Sequence, residues 1–188
     1  MSGNLRRYPP LNMKSVEGSQ VSPAQNPVAK SISSAIALGS NLGDSLKILN
    51  AALTILADTP GITLQASSSW YQTAPVGPPQ PDYLNGCALL KVQLNPLELL
   101  EILLGIEEKF GRVRKERNGP RTLDLDLLLF DDLILESPRL QIPHPRMSER
   151  AFVLVPLAEI APNWVEPVSG KAIEQLVQTV NCSGVCRL

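Results

Sequence analysis

From Ile32 onward the hydrophobic positions become regular, and the chain switches repeatedly between continuous apolar runs and residues recurring at helical spacing. Ile32 to Leu38 predicts a buried strand. The turn GSNLGD follows, and Leu46, Ile48, Leu49, Ala52, Leu53 and Leu56 recur at helical spacing until Asp58-Thr59-Pro60-Gly61 stops the helix. Ile62 to Tyr71 and Tyr83 to Leu94 read as two further strands. Between them the stretch APVGPPQP excludes helix and ladder alike, because proline fixes φ and has no N–H to donate. Asn95 suits a helix N-cap, Pro96 the first helical position, and Leu97 to Ile106 supply an apolar face that Gly111 ends. Leu123 to Phe130 returns as a strand, and Asp131-Asp132 turns it into Leu133-Ile134-Leu135 as a hairpin. Strand, helix, strand, strand, helix, strand is the order of a ferredoxin-like α+β domain (βαββαβ), with an antiparallel sheet, helices mainly on one face and an added hairpin strand. Arg150 to Ile160 and Ala172 to Val180 predict further C-terminal helices, the first kinked or limited by Pro156.

Residues 1–31 are rich in Pro, Ser, Gln and Asn, show no such period, and predict a disordered tail ahead of a single domain over residues 32–188. Arg6, Arg7, Lys14 and Lys30 give that tail a faint likeness to a transit peptide, but Pro9-Pro10 interrupts any amphipathic helix there. A hydrophobic content of 44% in 188 residues sustains a core without a metal or disulfide staple. The net charge of −1 excludes the strongly basic balance of a dedicated nucleic-acid binder, so any anion site must be local. Cys87, Cys182 and Cys186 make an odd number without a signal-peptide pattern, which points to free thiols in a reducing compartment, the cytoplasm. Cys182 and Cys186 lack the second pair and histidines of a zinc site. No apolar run approaches a membrane span, and the expectation is a monomer.

Chemistry concentrates in GRVRKERNGPRTLDLDLLLF, residues 111–130. Arg112, Arg114, Lys115, Arg117 and Arg121 put five cations within ten residues, with Glu116 the only acid, so the loop repels itself until a polyanion arrives. Asp124 and Asp126 lie two apart on a strand, which directs their carboxylates to one face while Leu123, Leu125 and Leu127 take the other. Two like charges side by side need a cation. Hard oxygen ligands at that spacing suit Mg²⁺, which completes its shell with water and substrate phosphates. A basic loop against paired carboxylates therefore reads as an ATP·Mg site for phosphoryl chemistry, and the absence of G-x-x-x-x-G-K-[ST] rules out a P-loop. Tyr83 and Asn85, also two apart on a strand, set an aromatic plane beside an amide that both donates and accepts, which suits a flat heterocycle. GSNLGD by itself is a strand-to-helix turn with Asp44 or Ser45 as cap. On these residues alone a metal-dependent phosphohydrolase or nuclease stays open. So does a ferredoxin-like nucleic-acid-binding module that stacks bases on Tyr83, though only 4% of residues are aromatic and the aspartates would repel phosphate.

RNGPRTLDLDLL resembles the signature of the 6-hydroxymethyl-7,8-dihydropterin pyrophosphokinases: a basic residue, a small residue and proline, an arginine, then aspartate-apolar-aspartate. ALGSNLGD, SSSWYQTAPVGP, QPDYLNGCALL, IEEKFGRVRK and IPHPRMSERAFVLVPLAEIAP match in the same order, over roughly Ala35 to Trp164. The resemblance implies transfer of pyrophosphate from ATP to the hydroxymethyl-dihydropterin in folate biosynthesis, giving the pterin diphosphate and AMP, with two Mg²⁺ on Asp124 and Asp126. It implies catalytic roles for Arg112, Arg121, Asp124 and Asp126, and ATP contacts from Glu107, Arg112, Arg114, Arg121, Arg139, His144 and Arg150. It also implies a pterin pocket in which the loop of Thr73, Ala74 and Val76 and the amide of Asn85 surround a ring held between Tyr83 and Phe152. The implied partners are these small molecules, without nucleic acid or membrane. Ala74 stands where the family commonly has proline, Leu104 where an adenosine-contacting glutamine can occur, and Asn118 where some members place tryptophan.

Overall fold

The computed structural model describes residues 31–75, 79–112 and 119–188; the expected tail, Val76 and most of the arginine loop, Arg114 included, lie outside them. The elements run β1 (Ile32–Ser40), α1 (Ser45–Ala57), β2 (Ile62–Ser67), β3 (Tyr71–Thr73), β4 (Tyr83–Val92), α2 (Pro96–Lys109) and β5 (Asp124–Phe130). After these come β6 (Leu135–Glu136), β7 (Gln141–Ile142), a 3-10 turn at Met147–Glu149 and α3 (Ala151–Ile160). The chain ends with β8 (Val165–Glu166), β9 (Lys171–Ala172), α4 (Ile173–Val177) and β10 (Val185–Arg187).

Both early helices begin on side-chain caps. Asp44 accepts the Lys47 N–H at 3.1 Å. Asn95 accepts from Leu97 and Glu98, each at 3.0 Å, and Glu98 returns a bond from the Asn95 N–H at 2.7 Å, a reciprocal box with Pro96 at the first helical position. Gly111, at φ 72°, takes the left-handed conformation that turns the chain away after α2.

The main sheet has the order β10-β3-β4-β1-β5, with β2 also paired to β4, and all its pairings are antiparallel. Its central part is the expected ferredoxin-like arrangement. Alternation along the strands sends side chains into two layers, and both are covered. Ile36, Leu38, Leu90, Leu125 and Leu127 pack with α1 and α2 through Leu49, Leu56, Leu99 and Leu103. Ala35, Cys87, Leu89 and Leu129 pack with α3 and α4 through Leu154, Leu157 and Leu176. The C-terminal helices therefore occupy the second face rather than leaving it open, because that face is apolar over half its length and has to be buried.

Three predicted elements differ in detail, and the helix expected over Ala172 to Val180 is the shorter α4, with Ala172 in β9. The strand expected over Ile62 to Tyr71 is divided into β2 and β3, because the Ser68 hydroxyl accepts the Cys87 N–H at 2.9 Å in place of a ladder carbonyl. Trp70 then lies against Gly86, where an added Cβ would come within 2.6 Å of the indole. The hairpin expected at Leu133 to Leu135 does not extend the main sheet. Instead β6 pairs with β7 as a separate ribbon, and Leu133, Leu135, Leu140 and Ile142 pack against the α1 and α2 layer. Leu133 and Leu135 are partly buried there, whereas Ile134 between them stays exposed.

Candidate active site

The register of the three central strands builds a floor on the α3 face. Gly39 of β1 stands opposite both Asn85 of β4 and Asp124 of β5, and Ala37 stands opposite Cys87 and Asp126. Tyr83 and Asn85 thus flank one side of a strip without bulky side chains, and the two aspartates flank the other. A Cβ on Gly39 would lie 3.0 Å from the Asn85 Oδ1, so glycine permits this approach. Above the floor is a cavity of about 1270 Å³, closed on the far side by His144, Arg146, Arg150 and Phe152. It exceeds the roughly 300–1,000 Å³ of a single small-ligand pocket and has room for two ligands side by side.

Every carboxylate of the floor is met by cations. Asp124 Oδ2 is 2.5 Å from Arg121 Nη1, and its Oδ1 is 2.6 Å from Arg112 Nη2. The second contact lacks hydrogen-bond alignment, so the buried Asp124 Oδ1 accepts no hydrogen bond. Arg112 also pairs with Glu107, which is 1% exposed and accepts the Leu125 N–H at 2.7 Å. Burial pushes the Glu107 carboxyl up, opposed by the Leu125 N–H and by Arg112. Asp126 Oδ2 lies 3.5 Å from Arg150 Nη1 and 3.8 Å from His144 Nε2. The His144 Nδ1 accepts the Arg146 N–H at 3.2 Å, which leaves the proton of the neutral ring on Nε2, toward Asp126. Burial lowers the His144 pKa, opposed by Asp126 and reinforced by Arg150 and Arg146.

On the other side of the strip, the Asn85 amide donates to Thr73 Oγ1 at 2.7 Å and the Tyr83 hydroxyl donates to the Gly119 carbonyl at 3.1 Å. The Arg150 guanidinium sits 5.5 Å from the Phe152 ring centroid, within cation–π range. Thr73, Ala74, Tyr83, Asn85, Phe152, Arg112, Arg121, Asp124, Asp126, His144 and Arg150 all line the cavity. Glu107 and Arg139 do not: Glu107 lies behind β5, and Arg139 is on the surface, paired with Glu101.

Sequence reasoning missed Asn41 and Arg146. Asn41 is 4% exposed; its Oδ1 accepts the Arg121 N–H at 2.7 Å, and its amide donates to Pro81 O at 2.9 Å and Gln80 Oε1 at 3.0 Å. It joins the GSNLGD turn to the proline-rich loop and to the end of the arginine loop. The only available signal was its place in that turn. Arg146 had a clearer one, lying between the two predicted ligands His144 and Arg150.

Among the described residues no group of three or more His, Cys, Asp or Glu side chains could hold a metal ion by themselves. Two carboxylates on one face, one with a buried oxygen lacking a hydrogen bond, nevertheless fit Mg²⁺, which takes its remaining ligands from water and phosphate oxygens.

A ferredoxin-like sheet that carries paired carboxylates among arginines, beside an aromatic and amide pocket, fits a phosphoryl-group transferase. Residues 35–162 match the model of the 7,8-dihydro-6-hydroxymethylpterin-pyrophosphokinase (HPPK) family, and the chain belongs to that family. It is an ATP-dependent pyrophosphokinase of folate biosynthesis. It is 57% identical over 150 residues to the 2-amino-4-hydroxy-6-hydroxymethyldihydropteridine pyrophosphokinase of Synechocystis sp., covering 80% of this chain and 77% of the relative. The enzyme of that name from Pseudomonas aeruginosa is 46% identical over 154 residues, 81% of this chain and 94% of the relative. Among solved structures, wild-type Plasmodium falciparum HPPK-DHPS with pterin and p-hydroxybenzoate superposes with a TM-score of 0.64 at 16% identity. That match covers 82% of this chain but only 44% of the solved one, and it supports the fold.

Proposed function

We propose that the cavity on the α3 face is where this chain carries out its family's reaction, with the pterin over Tyr83 and Asn85 and the ATP polyphosphate over Asp124 and Asp126. The observation that carries the reading is the register at Gly39, which sets Asn85 and Asp124 on either side of one residue. Two substrates on that floor meet along the Gly39–Ala37 strip. The Tyr83 and Phe152 rings sandwich the pterin, Asn85 reads its polar edge, and Thr73 Oγ1 fixes the orientation of the Asn85 amide. Thr73 and Ala74 form the wall of this pocket, and the reading extends it to Val76.

The pterin hydroxymethyl oxygen attacks the β-phosphorus of ATP. The new O–P bond forms as the bond from that phosphorus to the α,β-bridging oxygen breaks, AMP leaves, and the hydroxyl proton passes to solvent or a phosphate oxygen. Asp124 and Asp126 would hold Mg²⁺, which would supply neutralisation of the charge carried by the polyphosphate. Arg112 and Arg121 meet the charge that develops on the transferred group, and His144, Arg150 and Arg114 contact the polyphosphate. Glu107 acts from behind by holding Arg112, and Arg139 stays outside the cavity. The chain works in this reading as a cytoplasmic monomer on small molecules without nucleic acid, which a net charge of −1 supports.

A coupled assay with ATP, Mg²⁺ and 6-hydroxymethyl-7,8-dihydropterin, reading AMP, tests the site. AMP forms only with the pterin present, and Asp126→Ala nearly abolishes it. Wild-type turnover in Asp126→Ala with magnesium as the only divalent ion would sink the assignment.

A further inference from the structure

Phe152 and Glu159 are seven positions apart on α3, two turns along one face of the helix. The Glu159 carboxylate gathers donors from two other elements. Its Oε2 accepts the Ser69 N–H and the Tyr71 hydroxyl, each at 2.9 Å, and its Oε1 accepts the Ser69 hydroxyl at 2.8 Å and lies 3.2 Å from Arg187 Nη2. Ser69 lies in the segment leading into β3, and Tyr71 is the first residue of β3. Arg187 belongs to β10, which pairs with the outer side of β3, and the Leu188 N–H bonds to the Trp70 carbonyl at 3.0 Å. β3 itself is three residues long, and its last residue, Thr73, orients Asn85.

We propose that Glu159 is a positioning residue for the pterin pocket: by tying the far end of α3 to Ser69 and Tyr71, with β10 behind them, it sets the gap between Phe152 and the Thr73–Asn85 pair. This rests on the reading that the gap takes the pterin. Three of its four contacts end on one short strand segment and none reaches the β4-β1-β5 centre of the sheet. The Arg187 pair is exposed and contributes little to stability. Loss of the carboxylate therefore releases β3 relative to α3 without opening the main core. The Asp124, Asp126 and Arg121 positions are held by β1, β5 and Asn41, outside this joint. Residues 163–188, which supply β10, lie beyond the segment matched by the family model.

Steady-state kinetics and pterin titrations on Glu159→Ala, Glu159→Gln and Tyr71→Phe test this. Glu159→Ala raises the pterin KM and Kd by about tenfold or more, the scale of a sub-ångström to ångström misplacement, while the KM for ATP stays within about twofold. Glu159→Gln, which keeps acceptor oxygen but loses the charge, falls between Glu159→Ala and wild type. Tyr71→Phe, which removes one donor and leaves the core intact, shifts the same constant in the same direction and carries the test if Glu159→Ala does not fold. Phe152→Ala and Asn85→Ala run in parallel: unchanged pterin affinity in both overturns the pocket itself. If those two weaken binding while the Glu159 and Tyr71 variants bind pterin as wild type does, or move both substrates' KM together, the positioning role is wrong and the pocket stands.

Discussion

Asp124 and Asp126 share a strand face, and the repulsion between them has to be screened. In the free protein Arg112 and Arg121 do this for Asp124, and Arg150 with His144 more distantly for Asp126. From the sequence the arginines looked reserved for phosphate and the aspartates for metal; the structure shows that without ligands they answer each other. Removing Asp124 therefore costs more than the relief of repulsion returns, because Arg112, at 9% side-chain exposure, keeps Glu107 as its one acidic partner among the described residues. Asp124→Ala is expected to lower stability by about 1–3 kcal/mol, on the scale of lost hydrogen bonds to charged groups, and Asp126→Ala by less. Urea unfolding of the two variants measures this, and an Asp124→Ala protein as stable as wild type would contradict it. The shared faces of Tyr83 with Asn85 and of Asp124 with Asp126 were legible because strand alternation is a property of the backbone. The role of Asn41 was not, since its partner Arg121 is 80 residues away.

At the scale of elements, caps and turns were easier to read than pairings. Asp44 and Asn95 cap the helices they precede, through bonds that span two or three residues. The ribbon of β6 and β7 and the break between β2 and β3 depend on distant burial and on the Ser68 hydroxyl, which no local pattern displays. The β8–β9 hairpin carries its own titratable clasp. Glu166, 5% exposed, accepts the Val168 N–H at 2.9 Å and the Ser169 N–H at 2.7 Å. Burial alone would raise its pKa, but the bonds from Ser169 and Val168 outweigh burial and hold the carboxyl below the usual glutamate range. A lowered folded-state pKa stabilises fully above the unfolded value of 4.5 and loses that contribution as pH falls through the lower folded value. Thermal unfolding between about pH 7 and 3 should therefore show Glu166→Gln less stable than wild type at neutral pH, with the difference shrinking below the ordinary glutamate pKa. A gap that stays constant across that range would show that the clasp does not depend on charge.

The whole molecule has two apolar layers that share one sheet. Leu90 lies in the layer of α1 and α2, Leu154 in the layer of α3 and α4, and both are essentially inaccessible. Losing either layer exposes the strands that the other is packed on, so the described residues are expected to unfold together. Leu90→Ala and Leu154→Ala should each cost about 2–5 kcal/mol and each lower a single transition. Trp70 packs against the first layer and Trp164 against the second, so fluorescence and circular dichroism read together report on both. Separate transitions for the two variants would mean that the layers fold independently.

The amino-acid sequence by itself determined the order of helices and strands in the βαββαβ core, the faces that hold the aromatic–amide pair and the carboxylate pair, and the family. These follow from backbone periodicity, capping chemistry and motifs, all set within a few residues. Only the tertiary structure decided that the second face is covered by α3 and α4, that Gly39 separates the two halves of the floor, that Glu107 lies behind the cavity, and that β10 and Glu159 brace β3. Each of these depends on side chains distant along the chain, such as Ser69 and Glu159, 90 residues apart, meeting in a packed interior. Which partners meet there is set by mutual burial and by the pairing of most buried polar groups, and neither condition can be evaluated until the chain has folded.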